Sequence, residues 1–196
     1  PGCAAKHQGP VVKLTIVDLG CGNLGSVAIA FERFALAAAV TADPETIASS
    51  DRVLLPGVGA AGFAMKQMRS LGLLEVLRSL QQPTLGICLG MQLLFERTEE
   101  DDVECLGLIS GRVRKLEPAR GRPVPHMGWS KLEVVDEDIG LSTGQYVYFA
   151  HSFAADDGQA TAARASYGRP IPAIVRHRNW TGAQFHPERS GEAGAT

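Results

Sequence analysis

Cysteine is scarce in this 196-residue chain, and its four copies, Cys3, Cys21, Cys88 and Cys105, lie far apart. No Cys-x-x-Cys pair occurs, which argues against structural zinc and against a disulfide framework, and points to a reducing compartment. Long apolar runs are missing too: no stretch approaches the ~18 residues of a membrane-spanning helix. The first ten residues lack the apolar core that a secretory signal needs. Neither sign of charge is in excess, with 19 Lys and Arg against 21 Asp and Glu and a formal net charge of -2. That balance removes the electrostatic case for nucleic acid or a membrane surface as partner. What is present, 45% apolar and 20% charged residues, is the composition of a soluble, cytoplasmic globular protein. The length suits one domain, with residues 1–10 read as a disordered extension and 11–196 as the domain.

The most informative stretch is Pro83-Thr84-Leu85-Gly86-Ile87-Cys88-Leu89-Gly90-Met91-Gln92-Leu93-Leu94-Phe95-Glu96. Its first half reads as a buried strand and its second half, through Glu96, as a helix. Cys88 sits between them with a glycine two residues away on each side, the spacing of a nucleophile elbow with Cys in place of Ser. The chain must turn at once from strand to helix there, and the flanking residues must lack a Cβ so that backbones can approach. The N-terminus of the new helix would then favour thiolate, the reactive form of the side chain. A buried cysteine acting as a small core residue is the competing reading, and a partner base has to decide.

Upstream, residues 11–19 form the natural first strand, followed by the turn Gly20-Cys21-Gly22-Asn23-Leu24-Gly25 and a helix pattern over 26–39. Gly20, Gly22 and Gly25, with Asp43 about twenty residues on, match the dinucleotide-binding spacing. Any α/β protein needs a tight strand-to-helix turn, and that plainer reading is favoured. Residues 52–55 form a further strand ending in Pro56-Gly57-Val58-Gly59, a turn whose exposed amides suit an anion or oxyanion. A helix pattern follows over 63–80, interrupted by Gly72. Strands alternating with helices imply a parallel sheet with its site at the carboxyl ends of the strands. After Arg97 helix signals nearly vanish, and strands are expected at 103–116, 129–135, 145–154, 161–167, 171–176 and 181–185. The fold class is therefore α/β: a flavodoxin-like, mostly parallel central sheet flanked by helices, with extra antiparallel strands in the C-terminal half.

The last of these strands delivers His186-Pro187-Glu188. Proline keeps His186 out of α geometry, and residues two apart in an extended chain point the same way. A base and the carboxylate that orients it would thus project together. Cys88, His186 and Glu188 are the parts of a nucleophilic acyl-transfer site, with amides of the Val58–Gly59 turn and Leu89 as oxyanion donors.

Gly-Ile-Cys-Leu-Gly-Met-Gln at 86–92 and Phe-His-Pro-Glu at 185–188 resemble the signatures of the class I, triad-type glutamine amidotransferases. Asp18 to Leu24, Pro56 to Gly59, Pro125-His126-Met127-Gly128-Trp129 and Tyr148-Phe149-Ala150-His151-Ser152-Phe153 are similar to the imidazole glycerol phosphate synthase branch of that family, from histidine biosynthesis. The resemblance, over residues 12–193, implies that Cys88 attacks the side-chain amide of L-glutamine, that His186 shuttles protons and that Glu188 orients it. It implies a substrate site at Gly57, Gln92 and the backbone of Ser152 and Phe153, and neither cofactor nor metal. It also implies that ammonia passes to a cyclase subunit, a (β/α)8 barrel bound as a heterodimer near Asn23, Trp129 and Arg189. Two positions depart from the pattern, Ser130 where Asn is usual and Arg189 where Lys is usual. The chain also ends at Thr196, where the family continues into a terminal helix.

Overall fold

The computed structural model describes residues 12–20, 24, 31, 37–57 and 59–195. In chain order its strands are β1 (Leu14–Val17), β2 (Ala38–Thr41), β3 (Arg52–Leu55), β4 (Thr84–Ile87), β5 (Phe95–Thr98), β6 (Val103–Glu104), β7 (Ile109–Lys115), β8 (His126–Lys131), β9 (Glu133–Val134), β10 (Tyr146–His151), β11 (Phe153–Ala155), β12 (Thr161–Ser166), β13 (Pro170–His177) and β14 (Trp180–Ala183). The main sheet has the order β2-β1-β3-β4-β14-β13-β12-β9. Its first five strands run parallel, and the last three alternate antiparallel. β8 and β10 pair into a separate antiparallel ribbon, and β11, β7, β5 and β6 form a third sheet. The α/β architecture and the antiparallel additions of the second half are thus as the strand pattern implied.

The central parallel strands are buried on both faces, as helices over each side of a sheet require. Ile16, Leu54 and Ile87 pack with Cys88 on one side. Val17, Val53 and Leu55 meet Met65, Met68, Leu73 and Leu77 on the other. Those last four come from helices at Ala61–Ser70 and Leu73–Ser79, separated at Gly72 by a left-handed residue, φ 69°. The expected interruption at Gly72 is therefore a break between two helices.

Two expectations need correction. The helix pattern over 26–39 falls mostly outside the described residues, and its end, Ala38 and Ala39, belongs to β2. The helix after Cys88 spans only Leu89–Gln92, and Phe95–Glu96 is strand. The backbone carbonyls of Leu93, Leu94, Phe95 and Glu96 accept hydrogen bonds from residues 105–109. Those long-range partners override good helix formers. Asp43, the acidic residue of the dinucleotide spacing, is an N-cap whose side chain accepts from the Thr46 backbone at 2.8 Å, a local structural role in keeping with the plainer reading favoured above. Residues 1–10 lie outside the described residues.

Candidate active site

Cys88 lies where β4 ends and the single helical turn Leu89–Gln92 begins, with φ 50° and ψ -107°. A side chain other than glycine in that region is strained, and such strain persists only where surrounding structure enforces it. The glycines supply the enforcement. A Cβ on Gly86 would press on the Gly90 backbone, one on Gly90 would strike the Leu55 carbonyl oxygen, and one on Gly57 would strike the Ile87 carbonyl oxygen. Three backbone segments thus converge at the elbow with no room for a methyl group. Because the helix is one turn long, its dipole is much smaller than the sequence pattern promised.

The base arrives through sheet pairing. β14 lies parallel to β4 with Ala183 opposite Ile87, and the Cys88 amide donates to the Ala183 carbonyl at 2.7 Å. The segment leaving β14 therefore runs beside the elbow. His186 is extended, φ -99° and ψ 100°, but Pro187–Arg189 forms a 3-10 turn. Glu188 accordingly meets His186 by curling back, not by strand alternation. The His186 Nδ1–H donates to Glu188 Oε1 at 2.9 Å, which leaves Nε2 for the sulfur. Hydrogen bonds with Cys88 and Glu188 push His186 up to about 10, so the imidazole keeps its proton at neutral pH. Burial opposes charge on Glu188, yet the hydrogen bond from His186 holds its carboxyl below the ordinary value. Gln184, two residues before the histidine and fully buried, donates from Nε2 to Cys88 Sγ at 3.7 Å. The sequence reading passed over it, although period-two alternation places it on the side of His186.

Cys88 and His186 open onto a cavity of about 380 Å³. Gly57, Gly59, Leu89, Gln92, Ser152 and Phe153, each expected at the site, also line it; Val58 lies outside the described residues. Gln92 donates from Nε2 to the Phe153 carbonyl at 2.6 Å and to Gln184 Oε1 at 3.0 Å. Both its N–H groups are thus spent inside the protein, and its side-chain oxygen is left to meet a ligand. Glu100, unforeseen from sequence, also borders the cavity; burial raises its carboxyl, which accepts from the Ala61 amide at 2.9 Å.

Of the three expected partner contacts, Asn23 lies outside the described residues. The other two meet at one side chain. Trp129 packs edge-on against Tyr148, with ring centroids 5.9 Å apart, and the Arg189 guanidinium lies 4.2 Å from the centre of the Tyr148 ring. Trp129 is 55% exposed and its neighbours Met127 and Tyr146 are also open to solvent. The Tyr148 carbonyl in turn accepts from the His186 amide at 2.9 Å. Among the described residues no cluster suited to a metal ion occurs, and no helix is long and apolar enough to cross a membrane.

A sequence model of class I glutamine amidotransferases matches residues 21–196. The chain is 47% identical over 184 residues to imidazole glycerol phosphate synthase subunit HisH of Idiomarina loihiensis, covering 93% of each. It is 49% identical to the subunit of the same name from Xanthomonas euvesicatoria, covering 93% of this chain and 92% of that one. Among solved structures, a glutamine amidotransferase superposes with a TM-score of 0.73 at 19% identity, over 93% of this chain and 94% of that chain. PurLQS from Thermotoga maritima gives 0.67 at 18% identity, over 92% and 90%. At those identities the superpositions speak for the fold, and the close relatives speak for the family. The chain belongs to the class I glutamine amidotransferases, in the branch of imidazole glycerol phosphate synthase subunit HisH.

Proposed function

We propose that the chain is the glutaminase of a cytoplasmic imidazole glycerol phosphate synthase, and that Cys88, His186 and Glu188 carry its chemistry. The observation that supports this most is the strained elbow cysteine beside a protonated, carboxylate-bound histidine at the wall of a cavity. The Cys88 sulfur, as thiolate beside the imidazolium, attacks the side-chain amide carbon of L-glutamine. The resulting oxyanion is met by the Leu89 amide and by amides of the turn at Val58 and Gly59. His186 gives its proton to the departing nitrogen, ammonia leaves, and a thioester remains on Cys88. Water then attacks the thioester with His186 as base, the sulfur leaves as thiolate, and glutamate is released with the thiolate–imidazolium pair restored. Glu100 and the free oxygen of Gln92 are acceptors suited to the α-ammonium group, while Gly57 and the backbone of Ser152 and Phe153 bound the rest of the substrate.

The relatives are named as subunits of a synthase, and we assign the ammonia acceptor to a second subunit. The Trp129–Tyr148–Arg189 cluster is the face we assign to a cyclase of (β/α)8 architecture, and Asn23 is a further contact expected from the sequence. The test has two arms. A glutamine analogue with a chloroketone in place of the amide should add one mass to Cys88, and an adduct elsewhere on the folded protein would overturn the site. Adding a cyclase and its ligand should raise glutamine hydrolysis by about 10²–10³, the worth of one well-placed oxyanion donor. Equal rates with a cyclase shown to bind would reject the coupling.

A further inference from the structure

A buried run of hydrogen bonds leads from the exposed β8–β10 ribbon to the nucleophile, and the glutaminase reading has used only its last links. His126 and His151 face one another across β8 and β10 and are almost wholly buried, at 3% and 5% exposure. His126 is held between Phe149 and Tyr167, both rings stacked on it at 4.8 and 3.9 Å. His126 Nε2 lies 2.9 Å from Ser130 Oγ and its Nδ1 3.1 Å from His151 Nε2, while His151 Nδ1 lies 2.7 Å from the Phe153 carbonyl oxygen.

The chemistry of the end groups assigns every proton. A carbonyl oxygen only accepts, so His151 must carry its proton on Nδ1. Burial lowers both histidines to about 4, so each is neutral at pH 7. His151 Nε2 is then an acceptor, His126 must hold its proton on Nδ1, and the Ser130 hydroxyl must donate to His126 Nε2. The direction is the same throughout: Ser130 to His126 to His151 to Phe153. The Phe153 carbonyl takes a second donor from Gln92, whose other N–H goes to Gln184 Oε1, and Gln184 donates to Cys88 Sγ. Both lone pairs of the Phe153 oxygen are therefore occupied. Among the described residues no buried side-chain nitrogen or oxygen lacks a partner. Reversing one link would set two lone pairs face to face.

We propose that His151, with His126 and Ser130 behind it, is a positioning residue for glutamine cleavage: it fixes the Phe153 carbonyl and so holds the Gln92–Gln184 pair against substrate and sulfur. Ser130 follows Trp129 on the same strand and points to the opposite, inward side, so the run begins one residue from the face assigned to the partner and ends at the nucleophile. The proposal rests on the glutaminase reading, and the test separates the two. If the wild-type chain takes no chloroketone adduct on Cys88, the reading itself fails. Given that adduct, Ser130→Ala leaves His126 Nε2 without its donor and frees the ring to change tautomer. It should slow labelling and raise KM for glutamine by about three- to tenfold, the range of one hydrogen bond. Ser130→Asn, whose amide can donate, should return both to within about twofold of wild type. His151→Phe should do more than Ser130→Ala. Adding Ser130→Ala to Gln184→Met should cost little beyond Gln184→Met alone, since both changes break one run. A purely structural role predicts a lower melting temperature and a smaller labelled fraction, with KM and the labelling constant of the folded molecules unchanged. That result, or wild-type constants in Ser130→Ala, overturns the proposal, and Ser130→Ala decides alone should His151→Phe fail to fold.

Discussion

Cys88 and Cys105 are the same side chain in one protein, buried to a similar degree, at 8% and 3% exposure, and their surroundings are opposite in kind. Cys105 lies in the main apolar core. Its thiol makes a weak contact to the Val103 carbonyl at 3.7 Å and another with the Thr98 backbone, yet burial outweighs them and pushes it up to about 11. Cys88 has a strained backbone, a donor in Gln184 and an imidazolium at its side. Burial alone therefore neither activates nor silences a thiol. The polar groups brought along with it decide.

The most drastic break of that comparison is to exchange the roles by mutation. Cys88→Ala should reduce glutamine hydrolysis to the background left by binding and oxyanion donors. Cys105→Ala should leave kcat and KM within error of wild type. Turnover measured on both folded variants checks this. A Cys105 variant as inactive as the Cys88 variant would mean that the two environments are not distinct.

Next in size is Glu188→Gln, which keeps the shape of the contact to His186 Nδ1 and removes its charge. The imidazolium loses its counter-charge while Nε2 still reaches the sulfur. The loss in kcat should lie at or below about 10²–10⁴, the range for acid–base catalysis, and below that of Cys88→Ala. Equal, complete inactivation would assign Glu188 a more direct part.

The reactive half of the comparison also has a pH signature. His186 is raised from the ordinary 6.5 to about 10, with Cys88 the largest cause and Glu188 the next. A base bound more tightly in the folded state contributes stability that is fully present below pH 6.5. That contribution is lost as pH rises through about 10, because the folded protein then gives up a proton the unfolded chain has already released. In Cys88→Ala the NMR titration of His186 should move down toward 6.5, and the alkaline loss of stability should begin at lower pH. The buried pair His126 and His151, lowered to about 4, acts in the opposite sense. Its contribution is present above pH 6.5 and falls away as pH drops toward 4. A His186 titration unmoved by Cys88→Ala would show that the sulfur does not hold the proton.

How much of this was legible in the sequence follows from how each feature is encoded. The elbow at Cys88 depends on backbone approach, and only glycine allows it, so Gly57, Gly86 and Gly90 carry the information at fixed spacing. His186 and Glu188 are two residues apart and had to be neighbours, although a 3-10 turn and not an extended strand joins them. Phe95 and Glu96 read locally as helix, because the commitment of their strand to β7 lies in partners beyond any local window. The Gln184–Cys88 contact and the His126–His151 pair depend on the registers of β14 with β4 and of β8 with β10. Local patterning does not determine those registers.

The smallest expected effect tests the inert half of the comparison. Cys105 contributes one sulfur atom to the core formed with Leu106, Val113 and Phe95. Its thiol makes weak contacts with the Val103 carbonyl, at 3.7 Å, and with the Thr98 backbone. Cys105→Ala therefore removes packing and little else, and should cost about 1 kcal/mol, one deleted core group plus partial collapse of the space it leaves. For a domain of this size that is a fall in melting temperature of roughly 2–4 °C. Cys105→Ser should be worse than Ala, because a hydroxyl is smaller than the thiol and carries a polar group into the same apolar site. Thermal melts of the three proteins at one pH give the order wild type, Ala, Ser. A serine variant as stable as wild type would mean that the Val103 carbonyl and the Thr98 backbone satisfy the hydroxyl, and that Cys105 is held as a polar residue and not as a small apolar one.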